Sequence, residues 1–435
     1  MTPGVENKAP DHYPSHVLRE YALIADGERG AVVGPRGDIV WMCAPRWDSD
    51  AVFSALIGGR GGYAVTPVPV IVWGGYYEEN SLIWHSRWTT HDGTVECRDA
   101  LALPADPDRL VLLRRIQAVE GNAQVRVHLD LRGKYGARAL TGLSRDHGIW
   151  TARSAGLHVR WSGADAAAAS RESGHHSFLT MDLTLPVGTD HDLVLEISSV
   201  PLPDEPVNPS AAWSATETAW QTAVPDLEDC LAPPDTRHSY AVLRGMTSAS
   251  GGMVAAATTS LPERAGAGRN YDYRYVWIRD QCYSGQAGAA IGGHDLLDDA
   301  GRFIGARLLE HGDRLAPAYT TTGLAVPDQR PLATDPEPLV WPAVLASRSW
   351  MTDCSSRISR ARKKFSAVRM VATAASLPSS SKLGATAGAQ HVTGQLELES
   401  QCKEPTEGQP HGHERVGVAT RQRPQELHDG DHCSQ

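Results

Sequence analysis

The fold of the first half of the chain is decided by the stretch Val125-Arg-Val-His-Leu-Asp-Leu-Arg132, in which apolar and polar residues alternate. Successive side chains of a β-strand point to opposite faces, so this period of two is typical of a strand with one face in the core and one in water. We therefore expect the apolar residues of the stretch to face the core and the polar ones to face solvent.

The same alternation recurs from about Tyr21 to Ser199, in the segments 157–161, 179–185 and 193–197. Turn signals such as Gly121-Asn122 separate the segments, and no rhythm of alternating strands and helices is visible. Many short strands between turns favour a large antiparallel β-sandwich over a parallel sheet. We predict such a domain over residues 17–200.

A proline-rich linker follows, Pro201-Leu-Pro-Asp-Glu-Pro-Val-Asn-Pro209. Its end predicts a helix capped by Asn208 with Pro209 at the first position, because proline suits the first turn of a helix. Trp213 and Trp220 would share one face of this helix, and we expect them to pack against a neighbouring element. The linker and its helix are predicted over residues 201–234.

Beyond about Asp235 the apolar residues repeat with the period of a helix, as in Tyr240, Leu243 and Met246. A second helical pattern runs through Leu296, Leu297, Ala300, Phe303, Ile304 and Leu308. The second domain, predicted over residues 235–335, therefore begins as an all-α structure.

The character of the sequence changes near Pro336. From Ser366 to Gln435 there is no Phe, Tyr or Trp, and no helical or strand period persists. Such a segment buries little surface, so residues 336–435 are expected to be an aberrant and largely disordered tail. Its histidine pairs, such as His411-Gly-His413, have no recognisable metal-site spacing, and we predict neither a metal nor another cofactor.

Composition narrows the class of partner. The net charge of −10 argues against general binding to nucleic acid or an anionic membrane, since both need a basic footprint. No stretch approaches the roughly 18 apolar residues of a membrane helix, and the first residues lack the apolar run of a secretion signal. We therefore predict a cytoplasmic protein, and its seven cysteines without regular spacing are expected to be reduced thiols. The oligomeric state is left open.

The segment Arg269-Asn-Tyr-Asp-Tyr-Arg-Tyr-Val-Trp-Ile-Arg-Asp280 concentrates aromatic and charged residues. Aromatic rings stack on the apolar faces of pyranose rings, while Arg and Asp hold hydroxyl groups by charge-assisted hydrogen bonds. The segment therefore predicts the rim of a sugar pocket. The ordinary alternative is that Asp280 caps a helix, Arg279 is solvated or paired, and Trp277 is buried.

Two separate blocks carry a family resemblance. The first is the run from Tyr21 to Asp50, which includes Gly37-Asp-Ile-Val-Trp41 and Pro45-Arg-Trp-Asp-Ser49, and the second is Ala257-Thr-Thr-Ser-Leu-Pro-Glu263 with the Arg269–Asp280 segment after it. In this order they resemble the bacterial trehalase and glucoamylase-like branch of glycoside hydrolase family 15, over roughly residues 17–330. The resemblance implies an N-terminal β-sandwich followed by an (α/α)6 barrel, the six-hairpin glycosidase fold, of which residues 235–335 would be the incomplete first part.

The resemblance also implies an activity, which is hydrolysis of an α-glucosidic bond with inversion. Arg279 and Asp280 match the pair that grips the non-reducing glucose, and Trp277 and Tyr273 match aromatic positions of the same subsite; Asp272 and Arg274 would support them from behind. The implied partner is a small sugar, trehalose or an α-glucan oligosaccharide. The choice among trehalose, maltose, isomaltose and a polymer stays open, as does any dependence on phosphate or a divalent metal, which some trehalases of this branch require.

The catalytic glutamates of the family are not found. The acid typically follows a Trp, yet none of the 12 tryptophans precedes a Glu, and the candidates after Glu310 lie in or beside the tail. We hypothesise a reading-frame shift between about Pro331 and Ser347, the alternative being a genuine tail. The sequence thus predicts a truncated and inactive glycosidase, or else a non-catalytic carbohydrate-binding or scaffold protein. A nucleotide-binding enzyme is discarded, because Gly58-Gly-Arg-Gly-Gly62 has neither the GxGxxG spacing nor the Walker spacing of phosphate-binding loops.

Overall fold

The computed structural model describes residues 16–172, 176–227, 229–259 and 272–328. All of them belong to one compact unit, Met1–Pro378, and the second unit, Ser379–Gln435, is not among them. The predicted disordered tail and the hypothesised frame shift therefore lie outside the described residues.

The first part of the structure consists of antiparallel strands. In chain order they are β1 (Ala22–Ala25), β2 (Gly30–Val33), β3 (Asp38–Cys43), β4 (Ala51–Phe53), β5 (Gly62–Pro67), β6 (Val72–Tyr77), β7 (Trp84–Thr89), β8 (Thr94–Leu101), β9 (Arg109–Glu120), β10 (Ala123–Asp130), β11 (Thr141–Asp146), β12 (Ile149–Ser154), β13 (Leu157–Ser162), β14 (Ala168–Glu172), β15 (His176–Leu185) and β16 (Asp190–Ser198). The antiparallel strands predicted from the alternating pattern are confirmed.

These strands form two sheets. One has the order β1-β2-β3-β5-β10-β15-β14, with β4 paired to β3, and the other has the order β11-β12-β13-β16-β9-β8-β7-β6. Apolar residues of both sheets meet in one core cluster, for example Ile39 and Val127 from the first sheet and Leu112 and Leu195 from the second. Two antiparallel sheets that enclose a common core form a β-sandwich.

Strand β10 departs from its alternating pattern toward its C-terminal end. Val125, Val127 and Leu129 are buried as predicted, but His128 and Arg132, both expected to face solvent, are only 8% and 3% exposed. The His128 ring lies 5.2 Å from that of Phe178 on the neighbouring strand β15. The expectation for His128 was wrong because a cross-strand aromatic contact covers this position of the polar face.

Helices follow the sandwich: α1 (Pro209–Ala223), α2 (Pro233–Gly245), α3 (Ile278–Ala290) and α4 (His294–His311). Two short strands, β17 (Val276–Trp277) and β18 (Ala318–Tyr319), pair beside them. The predicted cap of α1 is confirmed, since the Asn208 side chain accepts a hydrogen bond of 3.0 Å from the backbone N–H of Ala211. The domain limits stay a prediction.

The first helix is packed on the outer face of the second sheet. Trp213 and Trp220 are buried in one cluster with Leu113 of β9 and Val194 of β16, so their predicted packing role is confirmed. Trp213 donates from Nε1 to Asp192 at 3.0 Å, and the Arg98 guanidinium lies 4.3 Å from its ring centre. Strands β9 and β16 are therefore covered on both faces.

Candidate functional site

The predicted sugar-binding segment is held in place by backbone hydrogen bonds on two sides. Ala256 donates to the Tyr273 carbonyl at 2.9 Å and Ala255 donates to that of Tyr275 at 3.0 Å. On the other side β17 pairs with β18, and α3 begins directly after Trp277. The segment from Asp272 to Asp280 is thus a short extended stretch that leads into a helix.

Burial separates two groups of side chains along this stretch, although Tyr275, on the same side as Tyr273, is buried. Arg274, Val276 and Ile278 are buried, whereas Tyr273 and Trp277 are half-buried and Arg279 is exposed. The rings of Tyr273 and Trp277 meet edge to face with their centres 6.3 Å apart. The extended conformation therefore brings the predicted aromatic pair together on the accessible side of the stretch.

Arg279 and Asp280 form an ion pair next to these rings. The Nη2 to Oδ2 distance is 3.1 Å, and the side chains are 59% and 31% exposed. The Arg279 guanidinium also lies 5.9 Å from the centre of the Trp277 ring. The structure thus places all four predicted site residues, Tyr273, Trp277, Arg279 and Asp280, in one continuous set of contacts.

The start of α3 tests the alternative interpretation in which Asp280 caps a helix. The residue at the cap position is Trp277, without a side-chain capping bond, and Asp280 is the third residue of the helix. Asp280 is therefore not the cap, although a carboxylate in the first turn interacts favourably with the helix dipole. Of the other two parts of the alternative, a paired and exposed Arg279 agrees with the geometry, whereas Trp277 is half-buried rather than buried.

Arg274 lies behind the accessible side chains and is only 3% exposed. Its guanidinium donates to both carboxylate oxygens of Asp272, to the Ser49 carbonyl at 2.7 Å and to the Tyr135 hydroxyl at 2.9 Å. It also lies 3.1 Å from the Cys43 sulfur, and burial raises the pKa of that thiol to about 11, so the thiol is neutral at pH 7. Arg274 thereby ties the site segment to the β-sandwich.

Two further residues position the segment and were missed by sequence reasoning. Gln281 is 1% exposed; its amide oxygen accepts from the Met253 N–H at 2.5 Å and its amide nitrogen donates to the Gly251 carbonyl at 2.9 Å. Trp41 of β3 donates from Nε1 to the Ala257 carbonyl at 2.9 Å. Both contacts join distant parts of the chain, and no local pattern signals them.

The described residues contain no group of three or more His, Cys, Asp or Glu side chains placed to hold a metal ion. Within the same residues, none of the helices has the length and apolar character needed to cross a membrane. The glutamates from Glu337 onward lie outside the described residues, so their geometry is not part of this site.

Comparison with known families decides the identity. The family described as "Trehalase-like, N-terminal" matches residues 14–160, and "Glycosyl hydrolases family 15" matches residues 237–323. Residues 14–160 and 237–323 thus match the trehalase and glucoamylase-like group of glycoside hydrolase family 15. The predicted family is thereby confirmed, and Tyr273, Trp277, Arg279 and Asp280 all lie within the second match.

The curated relatives of this chain are longer than the chain itself. The trehalase of Mycobacterium tuberculosis is 27% identical over 319 residues, which cover 65% of this chain and 45% of that protein. A trehalase of Mycolicibacterium smegmatis is 29% identical over 308 residues, which cover 62% of this chain and 44% of the relative. The chain therefore spans less than half the length of these curated relatives.

A solved structure supports the fold of this chain. A bacterial glucoamylase in complex with acarbose superimposes with a TM-score of 0.52 and 12% sequence identity, over 73% of this chain and 53% of that one. At this level of identity the likeness concerns the fold alone.

Proposed function

We propose that the described residues form the first part of a hydrolase of α-glucosidic bonds, which acts with inversion on trehalose or a short α-glucan. The family supports glycoside hydrolysis, and the trehalase relatives favour trehalose. In this proposal helices α3 and α4 are the first hairpin of an (α/α)6 barrel, since they run one after the other and pack through Gly285 and Ala300.

The observation that carries the proposal is the half-exposed Arg279–Asp280 pair beside Trp277. A carboxylate accepts hydrogen bonds from sugar hydroxyls and a guanidinium donates to them, and charged partners make such bonds about twice as strong as neutral ones. The apolar face of a pyranose ring would lie against Trp277 and Tyr273. These four side chains would bind one glucose unit and orient it.

Binding alone does not cleave the bond. Inversion needs one carboxyl group to protonate the leaving oxygen and a second, about 6.5 to 9.5 Å away, to activate water. Arg279 already neutralises Asp280, and no second carboxyl group joins this set of contacts among the described residues. We propose that the chain binds glucose at this site without hydrolysing a glucoside.

A non-catalytic carbohydrate-binding protein is the second candidate. Arg279 and Asp280 lie together in the structure, but the sequence has no Trp followed by Glu, the position that is typical of the family's catalytic acid. Calorimetry of the full chain with glucose, trehalose and maltose tests binding, and a glucose-release assay tests hydrolysis. Loss of one glucose-binding event in Asp280→Asn, but not in Asp298→Asn, an exposed aspartate of α4, is the expected result. Absence of binding in the wild-type chain would contradict both candidates, and glucose release at an enzymatic rate would overturn the predicted inactivity.

A further inference from the structure

A polar cleft of about 350 Å³ lies on the β-sandwich and shares no residue with the Arg279–Asp280 site. Its walls come from the loop after β3, from the loop that begins at Gly133 after β10, and from the turn between β12 and β13. Ligand pockets commonly measure about 300 to 1,000 Å³, so the cleft has room for one small molecule.

The walls of the cleft are fixed to each other. Gly133 donates from its backbone to the Ser154 hydroxyl at 2.9 Å, and this hydroxyl donates to the Arg138 carbonyl at 2.6 Å. A Cβ atom at Gly133 would lie 2.6 Å from the Cβ of Ala155, so a glycine is needed for the two loops to approach this closely. The cleft is therefore a preformed feature of the fold.

Two residues that line the cleft have a left-handed backbone. Lys134 has a φ of 53° and Ala155 a φ of 52°, and they are two of the five non-glycine residues with positive φ in the described part of the chain. Such conformations are uncommon in non-glycine residues and cluster at ligand sites, where the surrounding structure holds them. Lys134 itself is exposed and lines the cleft.

Positive and negative side chains line the cleft in equal number. Arg46 Nε lies 3.6 Å from Asp48 Oδ1, which is too long for a hydrogen bond, and neither atom has a hydrogen-bond partner within the described residues. The Asp48 side chain is only 9% exposed. Lys134 and Asp50 are exposed, and the described residues include no ion pair for either. Two cations and two carboxylates thus line the cleft with no excess charge.

We propose that this cleft is a second carbohydrate-binding site, which takes one hexose unit through neighbouring hydroxyl groups. A sugar hydroxyl both donates and accepts, so a vicinal pair can bond to a cation and a carboxylate that lie side by side. A lining of balanced charge gives a charged ligand no net Coulomb attraction, and the apolar surface of Ala155 and Leu157 offers contact for a ring face. The proposal does not rest on the function proposed for Arg279 and Asp280.

The test compares Lys134→Asn with two matched variants. Asn tolerates the left-handed backbone, so Lys134→Asn removes the ammonium group while it keeps the loop. His147→Asn is the control, because His147 is exposed, has a φ of 46° and does not line the cleft. Asp280→Asn separates this site from the first one. Ser49 and Tyr135 are left unchanged, because both bind Arg274.

Hydrogen exchange of the full chain, with and without glucose, gives a readout for each segment. Glucose is expected to slow exchange at residues 44–50 and 133–136 in the wild-type chain, in His147→Asn and in Asp280→Asn, and to have at least tenfold lower affinity for Lys134→Asn and for Asp50→Asn. The proposal is overturned if glucose leaves these segments unchanged, if Lys134→Asn and Asp50→Asn keep the protection, or if glycine, a zwitterion, protects them in place of glucose. Protection lost only at residues 273–280 in Asp280→Asn reports on the first site alone.

Discussion

Arg274 and Asp272 form a bidentate ion pair that lies almost wholly inside the protein. The Nε to Oδ1 distance is 2.9 Å and the Nη2 to Oδ2 distance is 2.6 Å, while the two side chains are 3% and 9% exposed. Because Arg274 also donates to the Ser49 carbonyl and the Tyr135 hydroxyl, this pair connects the sugar-binding segment to the β-sandwich. The position of the segment therefore depends on residues far away in the sequence.

The first prediction concerns the removal of this buried charge. Arg274→Met leaves Asp272 buried without its partner, which typically costs about 3 to 5 kcal/mol of unfolding free energy. Arg279→Met breaks a largely exposed pair and is expected to cost at most about 1 kcal/mol. Urea unfolding of the full-length variants measures both values, and similar losses in the two variants would show that Arg274 does not anchor the segment.

A second prediction concerns the cap of α1. Asn208→Ala removes the side-chain acceptor for the Ala211 N–H and is expected to destabilise the chain by about 1 kcal/mol. Asn208→Asp keeps an acceptor at the same position, so its unfolding free energy is expected to stay close to that of the wild type. Equal losses in the two variants, measured by the same unfolding experiment, would assign the effect to something other than capping.

These residues also illustrate what could be predicted from the sequence. The alternating strands, the cap at Asn208 and the packing of Trp213 follow from local patterns, because each depends on residues within one element. The family could be predicted because its two blocks are long and occur in order. The four candidate site residues lie within eight positions, so the backbone alone brings them together.

The remaining features depend on contacts between distant segments. Nothing near Arg274 in the sequence indicates that Cys43, Ser49 and Tyr135 surround it, and nothing near His128 indicates that Phe178 covers it. The cleft between Arg46 and Lys134 likewise forms from three separate loops. A period of two assigns residues to faces of a strand, but tertiary packing decides which face is covered.

The third prediction is a pH dependence that arises from His128. Burial lowers the pKa of His128 below its ordinary value of 6.5. The folded protein then binds fewer protons than the unfolded chain, so stability is present above pH 6.5 and is lost as the pH falls toward the lowered pKa. One proton accounts for at most about 1.4 kcal/mol per pH unit.

His128→Gln removes this proton uptake. The unfolding free energy of the variant relative to the wild type is expected to be constant above pH 7 and to rise, in favour of the variant, between pH 6.5 and 5. Any constant cost of the substitution cancels in this comparison, because only the change with pH is used. Parallel curves for the two proteins over this range would contradict the prediction.

The fourth prediction tests the fork geometry of Arg279. A guanidinium can hold two hydroxyl groups of one sugar at fixed angles and stack on Trp277, whereas an ammonium group of the same charge cannot. If Arg279 and Asp280 grip glucose, Arg279→Lys loses about one charge-assisted hydrogen bond, or roughly tenfold in affinity. Its unfolding free energy is expected to change little, because the side chain is 59% exposed.

Arg302→Lys is the matched control for this experiment, since Arg302 is 55% exposed and pairs with Asp299 on α4. Calorimetry with glucose is carried out in the Lys134→Asn background, so that the proposed cleft on the sandwich does not contribute to the heat. The Arg302→Lys variant is expected to bind as its parent does. An equal loss in both variants, or none in Arg279→Lys, would mean that the guanidinium of Arg279 does not contact the sugar, and that the pair with Asp280 serves only the first turn of α3.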